Sequence, residues 1–168
     1  MALFSHAVCL QMEIQVGEIS ANLERLEQLL AGQALPENTL VVLPELWATG
    51  FDFSRMASLA GQTPQVLSRL QQLADRHGIW FAGSLVEQQE PGLPCNTLFL
   101  SGPGGVVGRY RKQHLFTPWQ EEQYLQVGHE PLPMETPFGL LGALVCYDLR
   151  LPEICRQQVF AGCRLIVV

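Results

Sequence analysis

Short, wholly apolar runs alternate with helical patterns along this chain, and that alternation limits its fold more than any other feature. Residues 39–43 (TLVVL) are continuous in apolar character and are stopped by Pro44. A strand buried on both faces reads this way, because neither face needs a polar side chain. Residues 20–31 (SANLERLEQLLA) precede this run. Leu23, Leu26, Leu29 and Leu30 fall on one side there, Glu24, Arg25, Glu27 and Gln28 lie mostly off it, and Gly32 closes the segment; that is an amphipathic helix. A second helix is expected over 64–77, with Thr63 as N-cap, Pro64 as first residue and Gly78 as its stop.

Strands are expected at 4–12, 79–86, 95–101, 106–110 and 140–146, and a helix over 152–161 leads to a last strand in RLIVV (164–168). The glycines of SGPGG make a turn rather than a dinucleotide-binding loop, because a strand follows where a helix would be needed. The pattern is that of an α/β domain. The chain has 168 residues, 48% of them hydrophobic and 15% charged, which suits one domain with a sizeable core.

Charge and cysteine usage narrow the function classes. A net charge of -6 gives nonspecific nucleic-acid binding no electrostatic support. No basic run suited to anionic lipid appears, and no apolar stretch reaches membrane-spanning length, so neither nucleic acid nor membrane is expected as a partner. The cysteines at 9, 95, 146, 155 and 163 are odd in number, irregular in spacing and without a CxxC pair. That argues against a disulfide framework and a structural zinc, and for a reducing cytoplasm. No metal or cofactor is expected.

Three reactive residues share one property: Glu45 follows TLVVL, Lys112 follows VVGRY, and Cys146 ends LLGALVC. In open α/β sheets, ligands bind at the carboxyl ends of strands, so three such side chains can meet in one pocket. Taken singly, each has an ordinary reading as loop charge, surface charge or small core residue.

The segments around them decide the matter. VVLPELWATGF, YRKQHLF and VCYDLRLPE, in this order, resemble the three signature segments of the nitrilase superfamily, the carbon–nitrogen hydrolases. HAVCLQM, ANLERLEQLL and GCRLIVV are similar to that family's flanking elements, and the wording is closest to its omega-amidase-like branch. The resemblance implies an α-β-β-α sandwich, of which residues 1–168 hold the first half or a little more as a carbon–nitrogen hydrolase domain lacking its C-terminal part. It implies Glu45, Lys112 and Cys146 as the catalytic set, with Cys146 the nucleophile. A further family glutamate, seven residues before a glycine, falls on Glu121 by its distance from Gly128, with Glu122 adjacent. The substrate implied is a small carboxamide, hydrolysed through a Cys thioester with release of ammonia, and a homo-oligomer is implied as well.

These residue types suit that chemistry. A thiol needs a base or a nearby positive charge, which Glu45 and Lys112 supply, and the backbone N–H of Tyr147 can join Lys112 in holding an oxyanion. Nitrile or carbamoyl hydrolysis by the same residues, a catalytically silent assembly module and a thiol redox protein are the competing readings. Asp148 and Arg150 are expected to form a structural ion pair or helix-start contacts, and His114 a structural hydrogen bond. Trp47 and Phe51 are candidate pocket walls with a core role equally open, and Cys155 and Cys163 are expected as buried residues.

Overall fold

A computed structural model of the chain describes residues 4–129 and 133–168. The elements run β1 (His6–Cys9), α1 (Ile19–Ala31), β2 (Thr39–Val42), α2 (Met56–Ala60), α3 (Thr63–His77), β3 (Trp80–Glu87), β4 (Cys95–Gly102), β5 (Gly105–Arg111), β6 (Met134–Thr136), β7 (Gly139–Ala143), α4 (Pro152–Phe160) and β8 (Leu165–Val167). Strands β1 to β5 form one sheet in sequence order. Its first three strands are parallel, joined through α1 and then α2 with α3, and its last three are antiparallel. Strands β6, β7 and β8 form a second sheet, antiparallel then parallel.

The period-two alternation of strand side chains places the core on both faces of the first sheet. Val41, Phe81, Leu85 and Phe99 point to one face and pack with Leu26 and Leu30 of α1 and with Val66, Leu70 and Leu73 of α3. Leu40, Trp80, Ala82, Leu98, Leu100 and Tyr110 point to the other face and meet Met134, Leu141, Ala143 and Val167 of the second sheet. Helix α4 covers the far side of that second sheet, where the buried Gln158 side chain bonds both the N–H and the C=O of Ala143. The layers are therefore α-β-β-α, as the resemblance implies.

Gly83 shows how tightly the first sheet is covered. A Cβ there would lie 2.8 Å from Leu43 Cβ and 3.0 Å from Trp47 Cδ1, closer than ordinary carbon contact.

Several boundaries differ from the sequence expectation. The first strand pairs only over His6–Cys9, and the strand before the nucleophile ends at Ala143 rather than Cys146. Thr63 is not the N-cap of α3; Gln62 holds that place without a side-chain bond, and the Thr63 hydroxyl donates instead to Val86 O. Gly78 does end α3, at φ 64, in the left-handed conformation that glycine adopts without strain. The short elements α2 and β6 had no sequence signal, because neither is long enough to show a period.

Candidate active site

Glu45, Lys112, Glu121 and Cys146 come together between the two sheets; Glu45, Lys112 and Cys146 each sit within three residues of a strand end, and Glu121 begins the 3₁₀ turn Glu121–Gln123. Leu43 extends the β2 pairing, its N–H donating to Ala82 O at 2.8 Å, and Pro44 then turns the chain away. Leu46 has φ 48 and its N–H donates to the Ser84 hydroxyl at 2.8 Å, so the backbone that presents Glu45 is pinned on its far side. Lys112 extends β5: its N–H donates to Asn96 O at 2.9 Å and its C=O accepts from Gly128 N at 2.8 Å. A side chain on Gly128 would meet Arg111 O at 2.3 Å, so this loop can lie against β5 only with glycine there.

Lys112 is 1% exposed and its ammonium sits among carboxylates. Nζ donates to Glu45 Oε1 at 2.8 Å and to Glu121 Oε1 and Oε2 at 3.2 and 3.0 Å. Burial alone would push the ammonium's pKa down, but Glu45 and Glu121 outweigh it and hold the pKa above the ordinary lysine value. Glu121 is also 1% exposed. It accepts the Phe116 N–H at 2.8 Å, which fixes the loop following Lys112. Glu122 points to solvent, so Glu121 is the glutamate that joins the cluster. Asn96, which sequence reasoning did not single out, donates from Nδ2 to Glu45 Oε1 at 2.7 Å.

Cys146 is the first residue of a 3₁₀ turn, Cys146–Arg150, and has φ 47. The sequence placed it at a strand end; two residues of extended chain and a sharp turn separate it from β7. The turn brings the thiol beside Glu45, and both residues line the same cavity. Cys146 is exposed, but the atoms around its sulfur still strip away part of its water, and this desolvation, with the Glu45 charge, pushes the thiol's pKa above the ordinary cysteine value, Lys112 only partly offsetting it. Two carboxylates and one ammonium leave a net negative neighbourhood, so the resting sulfur is a protonated thiol held against a base.

Among the described non-glycine residues, φ is positive at Asn38, Leu46, Gln120 and Cys146. Three of these four are next to Glu45, next to Glu121, or the cysteine itself. Such conformations cost about 1–3 kcal/mol each and persist where the surroundings over-determine them.

For Cys146, Asp148 supplies much of that determination. It is fully buried. Oδ2 accepts from the Tyr110 hydroxyl at 2.8 Å and from Val145 N at 3.0 Å. Oδ1 accepts from His114 N at 2.8 Å and lies 3.1 Å from His114 Nδ1. One carboxylate thus ties the Cys146 turn to β5 and to the loop that carries Lys112. Burial and the facing Asp148 push the Tyr110 hydroxyl pKa well up, so it stays a donor. Of the two contacts expected for Asp148 and Arg150, Asp148 makes those at the helix start and also reaches across to β5, while Arg150 is exposed.

Trp47 is fully buried under Gly83 and belongs to the core, not to a pocket wall. Phe51 packs edge-on against Trp119 with centroids 5.2 Å apart, and Phe116 bridges Trp119 and Tyr147 at 5.5 and 5.3 Å. Trp119 is an aromatic neighbour of the site that no sequence signal had marked. Cys163 is buried and Cys155 half-buried.

A cavity of about 290 Å³ opens beside Glu45 and Cys146, with walls of Val42, Leu98, Val145 and Val168. A larger cleft of about 460 Å³ lies by Arg109, Arg111 and His129 and does not include Glu45, Lys112 or Cys146. Among the described residues, no group of three His, Cys, Asp or Glu is arranged to hold a metal ion. No helix among them is long and apolar enough to cross a membrane.

Comparison with known proteins points one way. Residues 7–168 match the family model described as carbon-nitrogen hydrolase. The chain is similar to the 2-oxoglutaramate amidase of Bacillus subtilis, with 32% identity over 95% of this chain and 62% of that protein. It is similar to omega-amidase NIT2 of Danio rerio, with 31% identity over 93% of this chain and 60% of that protein. Among solved structures, an amidase from Nesterenkonia sp. superposes with a TM-score of 0.83 at 27% identity, over 95% of this chain and 62% of that one. The chain therefore spans about three fifths of the length of the relatives it matches.

Proposed function

The chain belongs to the carbon–nitrogen hydrolase family, and from that premise we propose that it hydrolyses a small carboxamide through a thioester on Cys146, releasing ammonia. The observation that carries the proposal is the Lys112 ammonium held between Glu45 and Glu121, with Cys146 lining one cavity with Glu45. The family relation and the amidase relatives support amide C–N hydrolysis in general.

In that reading, Glu45 takes the thiol proton as sulfur attacks the amide carbon, which suits a thiol that is not ionised at rest. Lys112 and the Tyr147 N–H hold the carbonyl oxygen as it becomes negative. The tetrahedral adduct collapses as Glu45 returns the proton to the departing nitrogen. Ammonia leaves and an acyl thioester remains on Cys146. Water then enters, Glu45 removes its proton, and a second adduct collapses to the free acid and the restored thiol. Glu121 orients Lys112 throughout. No cofactor takes part. We further read residues 1–168 as part of a carbon–nitrogen hydrolase domain acting in a reducing cytoplasm as a homo-oligomer, with a small amide as its substrate.

The test is ammonia release by the purified chain on a panel of short ω-amides, with Cys146→Ala as control. Release that vanishes in the variant supports the proposal. A folded chain that releases no ammonia, or a variant that releases as much as the parent, refutes it.

A further inference from the structure

Asn96 lies in β4, beside Leu98 on the inward face of the first sheet, and is fully buried. Its backbone C=O accepts the Lys112 N–H and its side-chain Nδ2 donates to Glu45 Oε1 at 2.7 Å, so one residue touches both the lysine's strand and the carboxylate. The other half of the amide is unsatisfied: Asn96 Oδ1 is buried with no hydrogen-bond partner among the described residues. A buried, unpartnered carbonyl destabilises a fold. Packing alone therefore gives no reason for an amide in a strand whose inward neighbours are apolar.

The carboxylate it touches supplies the reason. Glu45 Oε1 receives two donors, Lys112 Nζ at 2.8 Å and Asn96 Nδ2 at 2.7 Å. A carboxylate oxygen accepts about two hydrogen bonds, so Oε1 is filled. Lys112 alone would leave the carboxylate free to turn about one contact. The second donor, coming from a different strand, fixes its plane.

We infer that Asn96 is a positioning residue for the reaction proposed above: with Lys112 it occupies Glu45 Oε1 and so assigns Oε2 as the oxygen that exchanges the proton with Cys146. The inference rests on Glu45 being the base of that reaction. It adds which atom acts and what holds it.

The test is Asn96→Leu, which keeps the branched shape and the number of heavy atoms and removes both the donor and the orphaned carbonyl. On an amide turned over by the parent chain, kcat should fall by about 10- to 100-fold, the scale of a displaced catalytic group, with KM changed by less than about 3-fold. The melting temperature should stay close to that of the parent. Added to Glu45→Gln, the same change should lower the residual rate by less than about 2-fold, because residues acting as a unit are not additive. An unchanged kcat, or an equal fall with and without Glu45, overturns the inference. If the parent chain releases no ammonia, the amidase reading fails separately. The inference is then judged by NMR: the Asn96 side-chain amide signals should shift and exchange faster with water in Glu45→Ala. Signals that do not move overturn it.

Discussion

Lys112→Met is the perturbation that most directly tests the electrostatics of the cluster. Methionine matches the length and apolar stem of lysine but leaves Glu45 and Glu121 facing each other without a cation. Glu121 is 1% exposed, so water cannot take the ammonium's place. Removing one partner of a buried ion pair costs about 3–5 kcal/mol, because the other charge is left uncompensated. For a domain of this size each kcal/mol moves the melting temperature by about 2–4 °C, so a fall of about 6–20 °C is expected at neutral pH. The pH dependence fixes the sign. The folded-state pKa of Lys112 is raised, so its contribution is fully present below the unfolded lysine value and is lost only as strongly alkaline pH passes the folded value. The parent should therefore hold this stability throughout the neutral range. In the variant the deficit should shrink on acidification, as the stranded carboxylates are neutralised, and Glu121→Gln added to Lys112→Met should recover part of it. Thermal melts of all three proteins at several pH values make the measurement. A loss under about 1 kcal/mol at neutral pH, or a deficit that grows on acidification, would refute the reasoning.

Three more outcomes are expected. Cys146→Gly should be more stable than Cys146→Ala by about 1 kcal/mol, since φ 47 is strained for any residue with a Cβ; equal melting curves would contradict the strained turn. Alkylation of the exposed Cys146, mapped by mass spectrometry, should rise with pH through a midpoint above that of a free cysteine, because partial desolvation of the sulfur and the Glu45 charge keep the thiol protonated; a midpoint below it would contradict the net negative neighbourhood. Asp148→Asn should cost at least about 2 kcal/mol in denaturant unfolding, because an amide cannot accept at both positions while donors point at each; a neutral change would remove Asp148 as the tie between the two halves of the site.

What was legible in the sequence was what is local. The apolar run ending at Pro44 and the helical periods of α1 and α3 involve neighbours within a few residues, and they marked an α/β domain; the α-β-β-α layering came from the family resemblance. Glu45, Lys112 and Cys146 were marked by three short segments, and Glu121 by its distance to Gly128. What stayed hidden depends on partners far along the chain. Asn96 meets Glu45 across 51 residues, and Asp148 meets Tyr110 across 38; a single polar residue in an apolar strand shows no period that would announce either. The Cys146 turn was misplaced because LLGALVC reads as continuous strand, while its left-handed backbone is imposed by the bonds to Asp148.

The ammonium of Lys112 has three protons, and three carboxylate oxygens lie within hydrogen-bond distance of it. At rest it has nothing left to offer a substrate. In the proposed reaction this changes at one moment: when Glu45 accepts the thiol proton it becomes neutral, and its hold on the ammonium weakens. The carbonyl oxygen acquires its negative charge in that same step. The positive charge is thus released toward the oxyanion by the proton transfer that creates it and drawn back when the proton leaves Glu45. On that proposal the cluster would work as a timed exchange of one cation between two anions, with Glu121 keeping the lysine in place during the transfer.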